Sequence, residues 1–151
     1  HMVKEFLPYL LKRSQAQILN VSSMGGYVPV PGQTVYGASK AAIKLFTEGL
    51  RSELKGSNVG VSLLFPGAVN TNISINSGAV TAAEAEQMAN SAPKFKATDQ
   101  VVAGKMIVDA FEKNPFHAFI GSDAKTMDRL SRLAPEKAAN LIQKQMESLI
   151  K

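Results

Sequence analysis

The stretch QILNVSSMGGYVPVPGQTVYGASKAAIKLFTEGLRSELKGSNVGVSLLFPG, residues 17–67, decides the fold. Gln17 to Val21 reads as a short strand. Gly, Pro and Ser dominate from Ser22 to Gly32, which marks a loop. From Val35 the pattern turns helical: Ala42, Phe46, Leu50 and Leu54 recur four apart with Ile43 beside them, and Gly56 closes the segment after about Lys55. Val59 to Phe65 is nearly continuous in apolar residues, as a parallel strand covered on both faces requires, and Pro66-Gly67 ends it. Strand, loop, helix and strand in this order make a βαβ unit whose crossover is expected to be right-handed.

The pattern continues on either side. Val3 to Arg13 has helical spacing through Val3, Phe6, Leu7, Leu10 and Leu11, with Pro8 inside it either starting or kinking the helix. No N-cap precedes it, which reads as a sign that residues upstream are absent. Thr98 or Asp99 caps a helix expected to run through about Glu112, and His117 to Ile120 is a third strand. Asp123 to Lys151 mixes charged and apolar residues at helical spacing and breaks at Pro135, giving two helices. Asn70 to Lys96 is rich in Ala, Ser, Asn and Thr, with a weak helical stretch around Thr81 to Ala89. Composition alone leaves it open between a lid over a site and a plain connector.

The 151 residues, 45% hydrophobic and 19% charged, suit one globular domain. No apolar run reaches membrane-spanning length, and no signal-peptide pattern follows His1-Met2, which is either a cloning scar or native sequence. The chain has no cysteine, which excludes thiolate catalysis and Cys-ligated zinc and fits a cytoplasmic protein. The net charge of +5 is scattered: no Lys/Arg block and no interleaved aromatic series point to a nucleic acid, so neither a nucleic-acid nor a membrane partner is expected. His1 and His117 are isolated in sequence, and no metal site is expected. Asn20 reads as a structural hydrogen-bonding residue, and the six methionines, Met24 and Met88 among them, as gap-fillers more often than substrate contacts.

In an open parallel sheet, ligands bind beyond the carboxyl ends of the strands. Ser22 and Ser23 follow the first strand, Pro66-Gly67 and Thr71 follow the second, and Tyr36 and Lys40 open the helix between them, so all should gather at one edge. A tyrosine hydroxyl titrates near 10, about three units too high for a base at neutral pH, and a neighbouring ammonium favours the phenolate. Tyr36 and Lys40 lie four apart and share a helix face. Tyr36 could exchange a proton with an alcohol or carbonyl oxygen while Ser23 hydrogen-bonds that same oxygen. A Tyr with a Lys four residues on arises by chance in about one such chain in four, so the pair alone is weak; its plain alternative is a half-buried tyrosine beside a surface lysine. The Ser, the strand ends and the Pro-Gly turn together make accident far less plausible.

These segments resemble the short-chain dehydrogenase/reductase family. ILNVSSMGG is similar to its strand ending in the catalytic serine, YGASKAA to its Tyr-x-x-x-Lys segment, and LLFPGAVNT to its strand followed by Pro-Gly-x-x-x-Thr, and the spacing from Ser23 to Tyr36 fits. The resemblance runs from the opening helix to about residues 117–121. It implies an α/β fold: the C-terminal half of a Rossmann-like doubly wound parallel sheet, three strands with flanking helices, in a single partial domain over residues 1–151. It implies Tyr36 as general acid/base, Lys40 as the residue that lowers its pKa and binds the nicotinamide ribose, and Ser23 as the residue that orients the substrate oxygen. Thr71, with the backbone of Pro66, Gly67 and Val69, would hold the nicotinamide carboxamide. Residues 70–97 would be the substrate lid and 123–151 a helical tail. The implied activity is NAD(P)-dependent interconversion of a secondary alcohol and a ketone, with NAD or NADP as cofactor and a homo-oligomer formed through the opening helix and the helix of residues 35–55.

The departures from the family pattern are as informative. No strand–GxxxGxG–helix unit, no residue selecting NAD over NADP and no Asn-Asn-Ala-Gly segment occur in these 151 residues. The N-terminal, Gly-rich βαβ half is therefore expected to be absent, and the chain by itself to be inactive and a poor binder of the cofactor. The alternative reading is a non-catalytic truncated fragment that only self-associates, pairing through the exposed edge of its first strand.

Overall fold

In the computed structural model, residues 1–76, 78, 81, 83 and 97–150 are described. The elements are α1 (Met2–Leu10), β1 (Ala16–Val21), a 3-10 turn (Met24–Gly26), α2 (Thr34–Glu53), β2 (Val59–Pro66), α3 (Ile73–Asn76), α4 (Gln100–Lys113), β3 (His117–Ile120), α5 (Ser122–Leu133) and α6 (Pro135–Ile150). The three strands form one parallel sheet in the order β1-β2-β3. Ala16 pairs with Val59 through to Val21 with Leu64, and Leu63 with His117 through to Pro66 with Ile120.

Each strand and helix expected within the described residues exists, with most ends shifted by a residue or two. Asp99 caps α4 with its side chain, accepting from the amides of Val101 and Val102, so the helix starts at Gln100. At the other end Asn114 adopts the left-handed conformation that terminates helices, with φ 47°. The opening helix differs most. It ends at Leu10 rather than Arg13, because Pro8 lies inside it, lacks an N–H and weakens the final turn. Of the expected lid, the short α3 is described; the weak helical stretch of residues 81–89, and Met88 with it, lie almost wholly outside the described residues.

The continuous apolar run of β2 is explained by its position. As the middle strand it is covered on both faces, and Leu63, Leu64 and Phe65 are buried. On one face Leu64 packs with Ala103, Ala110 and Ile120 under α4. On the other, the Phe65 ring meets Tyr27 edge-on at 5.0 Å and His117 at 5.2 Å, and stacks with Phe119 at 5.5 Å. The same side carries a cluster of Val28, Met127, Ala138 and Ile142, which docks α5 and α6 against the loop after β1. The tail is thus part of the core.

Phe65 joins the loop after β1 to β2 and β3 through its ring contacts and is fully buried. Phe65→Ala is expected to cost about 3–5 kcal/mol of folding stability, measured by urea unfolding. A loss below about 1 kcal/mol would show that the ring cluster contributes little.

Candidate active site at the carboxyl edge

The site is built by the way β1 hands over to α2. Ser22, the first residue past β1, continues the pairing by donating its amide to the Leu64 carbonyl at 2.9 Å. Its buried hydroxyl donates to the Lys40 carbonyl at 2.8 Å, and α2 is held against the strand end. Gly26 makes this approach possible: a Cβ there would stand 2.6 Å from the Ser22 Oγ and 3.0 Å from the Lys40 oxygen.

Ser23 then caps the 3-10 turn, its Oγ accepting from the Gly25 amide at 3.2 Å. Gly25 is the meeting point. A Cβ on it would lie 3.5 Å from Tyr36 Cε1 and 3.8 Å from Ser23 Oγ, so the phenol ring and the hydroxyl flank one small residue. Lys40 Nζ stands 5.6 Å from the centre of the Tyr36 ring, one helical turn away. Tyr36 is 45% exposed, open to a reactant.

Of the residues read from the sequence, Ser23, Tyr36 and Lys40 come together in this way. Pro66 and Gly67 end β2 and line the same cleft as Ser23. Val69 lies just beyond, in an isolated parallel bridge with Thr98. The Thr98 amide donates to Ala68 at 2.8 Å and the Asn70 amide to Thr98 at 2.9 Å. These bonds flank Val69, so its own N–H and C=O point away from Thr98. Thr71 is exposed and lies outside the cleft lining.

Three features were not read from the sequence. The first is Asp123, in the first turn of α5. Its carboxylate accepts from the Ala68 amide at 2.9 Å and presses against Gly67 and Gly121, where any Cβ would collide with it. It thereby fixes the Pro-Gly turn. The signal was available: Gly121-Ser122-Asp123 follows the third strand just as Ser22-Ser23 follow the first.

Tyr27 is the second. Its hydroxyl donates to the Ala124 carbonyl at 2.7 Å. Burial, with the charges of Asp128 and Asp123 adding to it, pushes this phenol far above its ordinary value. Tyr27 is therefore a post between the loop and α5.

The third is His117, isolated in sequence but not in space. Its Nε2 lies 2.8 Å from Glu48 Oε1 and its Nδ1 3.1 Å from Arg132. Glu48 also takes Lys44 at 3.0 Å, and Arg132 pairs with Asp128 at 3.0 Å, so one polar chain links α2, β3 and α5. Arginine only donates, so Nδ1 accepts and the proton sits on Nε2: the ring is the neutral tautomer. Burial holds His117 below its ordinary pKa; the bond and charge of Glu48 oppose this without overcoming it, and Arg132 adds to the lowering. Burial alone would raise the Glu48 carboxyl, but hydrogen bonds from Lys44 and His117, with the Lys44 charge, bring it below its ordinary value. Among the described residues no group of three or more His, Asp or Glu could hold a metal, and no helix is long and apolar enough to cross a membrane.

The chain matches the family model described as short chain dehydrogenase over residues 1–82, more than half its length. It is 32% identical over 145 residues to SadH of Mycobacterium tuberculosis, named as an oxidoreductase, covering 92% of this chain and 51% of that protein. An oxidoreductase of Staphylococcus epidermidis is 44% identical over 71 residues, 47% of this chain and 31% of its own. Among solved structures, a short chain dehydrogenase of Burkholderia cenocepacia in complex with NADP superposes with a TM-score of 0.74 at 25% identity, over 93% of this chain and 52% of that one. A serine dehydrogenase complexed with NADP+ gives a TM-score of 0.64 at 27% identity, over 79% and 49%. The chain belongs to the short-chain dehydrogenase family. It spans about half the length of SadH, a curated relative that matches 92% of this chain.

The polar chain at His117 makes stability pH-dependent. His117 is depressed in the folded protein, so its contribution is complete above the unfolded histidine value of about 6.5 and is lost as pH falls below it. Glu48, also depressed, adds a further loss only below about 4.3. Melting temperature is expected to fall between pH 7.5 and 5.5, and His117→Gln to flatten that slope; an unchanged slope in the variant would assign the dependence elsewhere.

Proposed function

We propose that this chain carries the proton-transfer half of an NAD(P)-dependent oxidoreductase that interconverts a secondary alcohol and a ketone. The observation that carries the reading is the convergence of Ser23 and Tyr36 on Gly25, at a cleft mouth, with the Lys40 ammonium 5.6 Å from the phenol ring. Tyr36 gives a proton to the carbonyl oxygen in reduction and takes one from the alcohol in oxidation. Ser23 donates a hydrogen bond to that oxygen and orients it. Lys40 supplies positive charge beside the phenol and reaches the ribose hydroxyls.

The cofactor is a nicotinamide dinucleotide, a reading supported by the NADP complexes of similar proteins. When bound, it supplies or accepts the hydride at the substrate carbon. The outward N–H and C=O of Val69 match the donor and acceptor of a carboxamide, and Pro66 and Gly67 lie just before them in the chain. Thr71 would join them. Residues 70–97 would form the substrate lid. A cytoplasmic location accords with the cysteine-free sequence.

In the full-length protein, Tyr36→Phe should lower kcat by about 10²–10⁴-fold with folding unchanged. Near-normal turnover in the variant, measured by NAD(P)H absorbance on a substrate the parent uses, would remove Tyr36 from the role.

A second reading concerns the 151 residues on their own. Among the described residues β1 is an edge strand, paired on one side only, with Val21 exposed. Such an edge pairs with other chains. Sedimentation of the 151-residue chain is expected to give species larger than a monomer and no NADH binding at millimolar concentration; a clean, cooperatively melting monomer overturns this.

A further inference from the structure

A cleft of about 540 Å³ adjoins Ser23. Its floor is the turn at Pro66 and Gly67; its walls are the loop after β1 and the helices α5 and α6. We infer that this cleft takes an uncharged secondary alcohol or ketone with an apolar body, and that Asp123 on α5, facing an uncharged α6 wall, disfavours anionic substrates. The inference rests on the oxidoreductase reading of the adjoining Ser23 and Tyr36.

The volume is that of a pocket for a small organic molecule rather than a macromolecule. The walls are set by helical spacing. Ile142 and Met146 lie one turn apart on α6 and pack into the cluster around Val28, forming the deep wall. Leu141 and Gln145, again one turn apart, form the rim, with Leu141 40% exposed. Met24 and Met127 complete the apolar lining. Methionine is unbranched and polarizable, so such a lining adapts to hydrocarbon bodies of differing shape.

Charge decides the rest. Among the described lining residues none is cationic, and Asp123 is the one ionised group. The N-terminus of α5 would otherwise attract an anion, but Asp123 in its first turn already occupies that position, bonded to the Ala68 amide. A carboxylate or phosphate entering here would lose its hydration, find no positive partner among the described lining residues and face the Asp123 carboxylate. A neutral ketone meets none of these penalties. Its body contacts the methionines while its oxygen lies toward Ser23.

The test labels the methionine methyl groups isotopically and titrates the protein with 2-octanone and with 7-oxooctanoate, the keto acid of equal chain length. The ketone is expected to shift the methyl signals of Met24, Met127 and Met146, leaving Met2 on α1 and Met106 under the opposite face of the sheet unmoved. It should bind at least about tenfold more tightly than the keto acid. Leu141→Lys at the exposed rim, or Gln145→Lys one turn on, should reduce that preference about tenfold. Equal binding of the two probes, shifts that bypass the three cleft methionines, or an unaltered preference in both lysine variants would overturn the inference. Turnover of 2-octanone by the full-length protein is read separately. Methionine shifts without turnover would sink the oxidoreductase reading and leave the ligand class standing.

Discussion

The Ser22 hydroxyl on the Lys40 carbonyl is the contact from which the site's geometry follows. It joins the end of β1 to the second turn of α2 at 2.8 Å, and the missing side chain of Gly26 is what allows the approach. Ser23 is the next residue along the chain, and Tyr36 lies one turn before Lys40 on the same helix. Fixing one backbone carbonyl therefore fixes the distance between a hydroxyl and a phenol thirteen residues apart. Its Ser22 end is buried, which limits competition from water. The same strand end is locked to β2 through the Ser22 amide, so the carboxyl edge is held from two sides.

Burial then sorts chemically similar groups into different roles. Tyr27 and Tyr36 both lie near Ser23, yet Tyr27 is spent on the Ala124 carbonyl while Tyr36 is left open. A phenol that is desolvated and already donating cannot exchange protons at neutral pH. His117 has an imidazole's usual aptitude for acid–base work, but with Glu48 on one nitrogen and Arg132 on the other it braces α2, β3 and α5. Asp123 likewise looks like a free carboxylate in sequence and acts as the wedge that shapes the Pro-Gly turn.

How much was legible depended on the sequence distance over which each feature is made. The period-four apolar residues of α2, the continuous run of β2, the cap at Asp99 and the break at Pro135 are local patterns, and each reappears within a residue or two of its expected place. Bringing Ser23, Tyr36 and Lys40 to one edge needed only the βαβ topology. By contrast, the Tyr27 bond to Ala124 spans 97 residues, the His117 bond to Glu48 69, and the Ala68 bond to Asp123 55. No periodicity or motif reports a pairing across such intervals.

The sequence by itself therefore determined the order of elements, the βαβ unit and the three residues gathered at its carboxyl edge, because backbone periodicity and turn chemistry act over a few residues. Only the tertiary structure decided which tyrosine stays exposed, which carboxylate holds the turn at Gly67, and that α5 and α6 fold back to wall the cleft. Those outcomes rest on desolvation and on contacts between distant segments. Both depend on what surrounds a side chain, not on which residues precede and follow it.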